Sequence, residues 1–193
     1  MSNVDLKQKI IKAAIKIFAD KGFFGATVDD IAKSAKVGKG TVYLYFKDKP
    51  SLYVSIIDEQ FMTGFGFLEE LKREKIPTLK KLKRIANNWL NYMFKFEHEL
   101  PMYSMENINM TRKIMKGMQS MIPRHFDKMI GQIAEIIRQG VDNGELRKID
   151  PKIGAVYFLN SIKTAFLLYV FYPQIKNPEK QIDDLLFFGL KRR

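Results

Sequence analysis

Cysteine is absent from the 193 residues, which excludes a disulfide framework, a thiolate zinc site and a cysteine nucleophile. Histidine is nearly absent as well. With only His98 and His125 present, a histidine-rich metal centre is excluded. His98 lies between Glu97 and Glu99, but sequence neighbours on a helix do not share a face. No nucleophile, base and orienting group stand at a recognisable spacing, so an enzyme is not expected and no metal or cofactor is required. The chain also lacks alternating strand patterns and any stretch biased enough to be a disordered linker. Its opening residues, MSNVDLKQKI, carry no apolar run of the secretory type, and the expected location is the cytoplasm.

Long uninterrupted apolar runs are missing too. The nearest is IGAVYFLNSIKTAFLLYVFY, Ile153 to Tyr172, and Asn160, Ser161 and Lys163 stand at its centre. A charge at mid-bilayer costs roughly 2.5–3.5 kcal/mol on insertion scales. The clean stretch from Thr164 to Tyr172 is too short to span a bilayer. The segment reads as a bundle helix, with no membrane partner.

What is present is helix-forming sequence almost throughout, and a net charge of +12. Nucleic acid or an anionic surface are the physical partners of such a surplus. The charge is not confined to one part of the chain: residues 1–50 hold 10 Lys against 5 acids, and the remainder 23 basic against 16 acidic residues. Position must therefore say more than charge.

The N-terminal fifty residues are the most informative. Ile10, Ile11, Ala14, Ile15 and Phe18 recur at one-turn spacing and predict a first helix from about Asp5 to Lys21, stopped by Gly22. Thr27, with Asp30 three residues on, predicts a capped second helix whose inner face is Ile31, Ala32 and Ala35. The chain breaks at KVGKG, with Val37 filling the turn, and resumes as a third short helix. There Val42 and Phe46 face inward, leaving Lys39, Gly40, Thr41, Tyr43 and Tyr45 to meet something outside. Two short helices about a tight turn describe a helix-turn-helix. Lysine and hydroxyl side chains on the second suit phosphates and base edges of a major groove.

The stretch IIKAAIKIFADKGFFGATVDDIAKSAKVGKGTVYLYFKDKPSLY resembles the DNA-binding domain of the TetR family of bacterial transcriptional regulators. The resemblance implies an all-α fold: a helix-turn-helix domain over residues 1–49, then a helical effector-binding and dimerisation domain over residues 50–193. It implies phosphate contacts at Thr27 and Lys49, base or backbone contacts at Lys39, Gly40 and Thr41, and phosphate contacts at Tyr43 and Tyr45. Two positions depart from the family pattern. Lys36 stands where glycine is usual, which predicts a strained or differently shaped turn, and Asp29 stands where relatives are often basic.

Beyond Tyr53 the resemblance thins to architecture. A long helix is expected from Asp48 to about Lys75, ended by Pro77, with Thr78 capping the next. Then comes a short piece from Pro101, and a helix or broken pair from Thr111 to Gly140 with a kink or boundary at Pro123. Asp150 and Pro151 open another helix, an arrangement repeated at Asn177 and Pro178. The last two helices, Ile153–Tyr172 and Glu179–Leu190, are apolar nearly all round from Ala155 to Phe171 and from Leu185 to Leu190, and such helices must be covered on more than one side. That predicts a homodimer through these segments, with Leu168 and Phe187 inside the interface.

Phe61, Phe65, Trp89, Tyr92, Met93, Phe96, Tyr103, Met118 and Met121 crowd the middle of the chain. At helical spacing such residues fit a plain core and an adaptable apolar pocket alike. The expected function is a ligand-responsive regulator, a repressor binding a near-palindromic DNA operator as a dimer and released by a small apolar or amphipathic molecule. A DNA-binding regulator with no ligand or governed by a protein partner stays open, as does a helical enzyme or lipid carrier that only resembles one.

Overall fold

Helices and no β-strand make up the regular structure of the residues that the computed structural model describes, namely 3–96, 108–178, 180–182 and 184. The elements are α1 (Asn3–Gly25), α2 (Val28–Ser34), α3 (Lys39–Tyr45), α4 (Lys49–Arg73), α5 (Thr78–Phe96), α6 (Ile108–Asp142) and α7 (Pro151–Phe171). They sort into two compact units. The first comprises Met1–Thr63 with Phe96–Arg124, the second Gly64–Lys95 with His125–Arg193.

This division differs from the expected boundary at residue 49, and the reason is packing. Leu52, Tyr53 and Ile56 of α4 and Ile114 of α6 share one buried cluster with Ile10, Ala14, Phe18, Ile31, Val42 and Phe46 of α1–α3. α2 and α3 are seven residues each, too short to hold together alone. A platform of longer helices has to bury their inner faces. Within it Phe18, Phe23 and Tyr53 meet as tilted and edge-on rings, with centroids 5.0–5.6 Å apart.

Gly22 interrupts α1 as its sequence position predicts. Its φ of 68° and ψ of 169° fall in a region that only glycine occupies readily, and one further turn follows before Ala26 donates back to the Gly22 carbonyl. Thr27 then caps α2 in a complete capping box. Its hydroxyl accepts from the Asp30 N–H at 3.1 Å, and its own N–H donates to Asp30 Oδ2 at 3.1 Å.

The turn between α2 and α3 places a lysine where glycine would sit without strain. Val37 N–H donates to Ala32 O and Lys36 N–H to Lys33 O, the paired closure of a Schellman motif that puts Lys36 in the left-handed region at φ 52°. A side chain there costs roughly 1–2 kcal/mol, so the turn keeps its shape and carries the strain. Lys36→Gly is expected to stabilise the protein by about 0.5–1 kcal/mol, after glycine's larger entropy loss on folding is subtracted. Denaturant midpoints test this, and a loss of stability would contradict it.

In the second unit Leu68, Leu71, Leu82, Ile85, Ile133, Ile136, Ile137 and Phe158 are buried. Thr78 is the first residue of α5, and its N–H is held by the Glu145 carboxylate, so the cap comes from another element and the expectation for Thr78 is corrected. Lys81, 5% exposed, donates to the Lys72 carbonyl near the end of α4 and to Gln139 Oε1. α6 is one helix through Pro123, where a kink or boundary was expected, and the division between the two units falls just after it, between Arg124 and His125. The Arg124 side chain donates to the Ser120 carbonyl beside that proline. Asp150 caps α7, accepting from the Lys152 and Ile153 N–H groups, with Pro151 in the first turn as expected. Asn177 and Pro178 repeat the placement: helix begins again at Pro178, and the Asn177 carbonyl accepts from the Gln181 N–H, with Asn177 left-handed at φ 51°, a conformation asparagine tolerates.

α7 is long and apolar enough to cross a membrane by length and composition, and a third of that window is buried. Gly154, Ala155, Phe158, Leu159, Ile162 and Ala165 form its inner face. Ile153, Val156, Tyr157, Leu167 and Phe171 are exposed. Of the two residues expected in the interface, Leu168 is half-buried, and Phe187 lies outside the described residues, as does most of the segment Glu179–Leu190.

Candidate nucleic-acid interface

α3 owes its orientation to two side chains. Val42 and Phe46 are buried in the first unit's cluster, which fixes the helix with its other faces outward. Lys39, Gly40, Tyr43 and Leu44 are exposed, and Thr41 and Tyr45 half-exposed. Tyr45 also packs against the cluster, so of the two tyrosines Tyr43 is the freer, at 47% exposure. Nothing lies within 4 Å of the place a Cβ would take at Gly40. The fold itself therefore does not require glycine there.

Several groups expected to reach for DNA are already paired. Lys39 Nζ sits 2.7 Å from Asp29 Oδ2, and this carboxylate raises the ammonium's pKa. Both side chains are about half exposed, so the pair is weak and a phosphate can displace it. Asp29 thus supplies a counter-charge to α3. The Thr27 hydroxyl donates to Asp30 Oδ2 at 2.7 Å as well as capping α2. The Lys21 ammonium at 2.9 Å, then the Thr27 hydroxyl and N–H, hold the Asp30 carboxyl down at about 2, against an ordinary 3.8. What this contributes to stability is present above about pH 4 and is lost as pH falls from there through about 2.

Lys49 has a different position from the one the resemblance implies. Its ammonium donates to Phe23 O and Ala26 O at 2.7 Å and to Phe24 O at 3.4 Å, and lies 4.7 Å from the Phe23 ring centroid. Three acceptors match its three donors, and burial lowers its pKa. The side chain ties the start of α4 to the end of α1. Lys47, two residues earlier, is the exposed one.

The aromatic and Met residues of the middle region are divided between the units. Phe61, Met118 and Met121 belong to the first, Phe65 and Trp89 to the second. Met118 packs against the first unit's cluster, and Met121 and Phe65 are buried. The side chains of Tyr92, Met93 and Phe96, and the whole of Tyr103, lie outside what is described. Phe65 has neighbours that periodicity could not supply: Lys128 Nζ stands 4.4 Å from its ring and His125 lies edge-on at 5.4 Å. One helical turn further along α6, Gln132 Nε2 donates to Glu69 Oε1 at 2.8 Å and to the Phe65 carbonyl. Among the described residues its buried Oε1 has no hydrogen-bond partner. The Gln132 amide, and after it Lys72, hold the Glu69 carboxyl below its usual range. Among the described residues no group of three acidic or histidine side chains could hold a metal.

The chain is similar to known proteins along most of its length. It is 28% identical over 163 residues to the uncharacterized HTH-type transcriptional regulator YhgD of Bacillus subtilis, covering 81% of this chain and 80% of that one. To the fatty acid metabolism regulator protein of the same organism it is 23% identical over 168 residues, 86% and 84% of the two chains. The structure of the Bacillus subtilis regulator FadR in complex with stearoyl-CoA superposes with a TM-score of 0.62 at 23% identity, covering 94% of this chain and 98% of that one, a likeness of fold. The model of bacterial regulatory proteins of the tetR family matches residues 10–56. That of the tetracyclin repressor-like C-terminal domain matches residues 83–183, more than half of the sequence. From its reading helices to the end of α7 and beyond, the protein belongs to the TetR family of bacterial regulatory proteins.

Proposed function

We propose that the protein is a homodimeric repressor that binds a near-palindromic operator in the cytoplasm and is released by a small amphipathic molecule. The observation that carries the DNA half is the outward face of α3, which leaves Lys39, Gly40, Tyr43 and Leu44 exposed while Val42 and Phe46 anchor the helix. A helix so presented fits a major groove, and a two-fold dimer places two of them one DNA turn apart. Dimerisation is supported by the exposed apolar stripe of α7. Asn160, Ser161 and Thr164 along that helix each donate back to one of its own carbonyls, which satisfies one donor of each.

The amphipathic effector rests on the neighbourhood of Phe65 and on the relative solved with stearoyl-CoA. Phe65 supplies a buried apolar ring, Lys128 a charge for an anionic head, and Gln132 Oε1 an acceptor for a hydroxyl or amide N–H. A hundredfold release from DNA requires the effector to prefer the released form by about 2.7 kcal/mol. Roughly 110 Å² of additional apolar burial supplies that at about 25 cal/mol per Å². The test is binding to the DNA upstream of the protein's own gene at several salt concentrations, with stearoyl-CoA titrated while Trp89 fluorescence is followed. The affinity should fall steeply with salt and again with ligand. Tight ligand binding that leaves the DNA complex intact would remove the switch and spare the DNA reading. No salt-dependent complex at all would remove both.

A further inference from the structure

The point of α3 farthest from the core is a leucine. With about 100° between successive residues, Leu44 lies opposite the midpoint of the buried pair Val42 and Phe46, flanked on the outward side by Gly40 and Thr41. It is 84% exposed. A single exposed leucine elsewhere would be unremarkable. Here it occupies the leading edge of the element that enters the groove. The whole helix, KGTVYLY, contains no Arg, Asn, Gln, Asp or Glu. Apart from Lys39, which can meet guanine, it therefore lacks the side chains that read adenine or cytosine through paired or accepting hydrogen bonds. Lys39 is the one charged residue on it and is shared with Asp29.

An isobutyl group can neither donate nor accept, so it cannot sense the polar pattern of a base edge. The one apolar group that an unmodified base pair shows in the major groove is the C5-methyl of thymine. We propose that Leu44 selects thymine at one position of each operator half-site by packing on that methyl group, which fixes an A·T pair at that position of each half. This rests on α3 being the reading helix, and it goes further by naming the base and the contact.

Preferred sites selected from a random duplex pool with the full-length protein provide the substrate. Each thymine of the site is then exchanged for uracil, which keeps every hydrogen-bonding group and removes only the methyl. One symmetry-related pair should stand out, with affinity falling about fourfold for one exchange and about fifteenfold for both, the effect of losing one buried methyl-sized contact at each half-site. Leu44→Ala should lose a similar factor on the thymine duplex and become indifferent to uracil at that pair, whereas Leu44→Met, which keeps an apolar tip, should retain the sensitivity. Since Leu44 touches almost nothing in the fold, unchanged thermal midpoints should accompany both variants. Uniform indifference to uracil in the wild type, or a Leu44→Ala variant still sensitive at the same pair, would overturn the inference while leaving DNA recognition standing. A pool that shows no enrichment would overturn both.

Discussion

Replacement of Leu167 by Glu is expected to leave a monomer that has lost about 10²- to 10⁴-fold in operator affinity, the gain that linking two half-site contacts provides. Leu167 stands on the outward stripe of α7, opposite the face that packs on the second unit, in line with Ile153, Val156, Tyr157 and the 67%-exposed Phe171. A two-fold interface meets itself, so one substitution puts two glutamates into it. An uncompensated buried charge costs about 3–5 kcal/mol. The inner face, built on Phe158, Leu159 and Ile162, is untouched, so the subunit itself should still fold. Sedimentation of the variant, together with its binding to duplexes carrying one and two half-sites, measures the effect. A normal dimer that binds the full site undiminished would move the interface away from α7.

The second large effect separates two lysines that the sequence sets side by side. Lys49→Ala should destabilise the protein by about 2–3 kcal/mol. It strips a charged donor from the carbonyls of Phe23, Phe24 and Ala26 and a cation from the Phe23 ring. Lys47→Ala, at an exposed position, should change stability by no more than about 0.5 kcal/mol. The DNA measurements should run the other way. Lys47→Ala is expected to flatten the salt dependence by about 0.9 per lost phosphate contact, whereas folded Lys49→Ala should keep the slope. Denaturation curves and salt titrations on the two variants decide it. A stable Lys49→Ala protein with a flattened slope would return the phosphate contact to Lys49.

These two lysines also mark where sequence reasoning stops. The helices, the capping box at Thr27 and Asp30, the inward pair Val42 and Phe46, and the Asp150–Pro151 start of α7 were legible because each rests on local chemistry. Periodicity, a side chain three residues from its partner and a fixed proline φ all act within one or two turns. The strain at Lys36 was legible for the same reason, since one residue's φ decides it. Family resemblance was legible in the same short stretch, Lys7 to Tyr53.

What only the tertiary structure decided depends on groups distant in sequence. No local pattern says that the Lys49 ammonium, and not that of Lys47, folds back 23–26 residues onto the end of α1. Nor does any pattern say that Glu145 holds the start of α5 across 67 residues, or that α4 and α6 lend their first parts to the reading helices. Leu44 was hidden for a related reason. Apolar residues in a sequence are read as core, and only burial of the opposite face turns this one outward. The sequence by itself determined the helices and the reading motif. Packing between distant residues determined which side chains of that motif remain free to meet DNA.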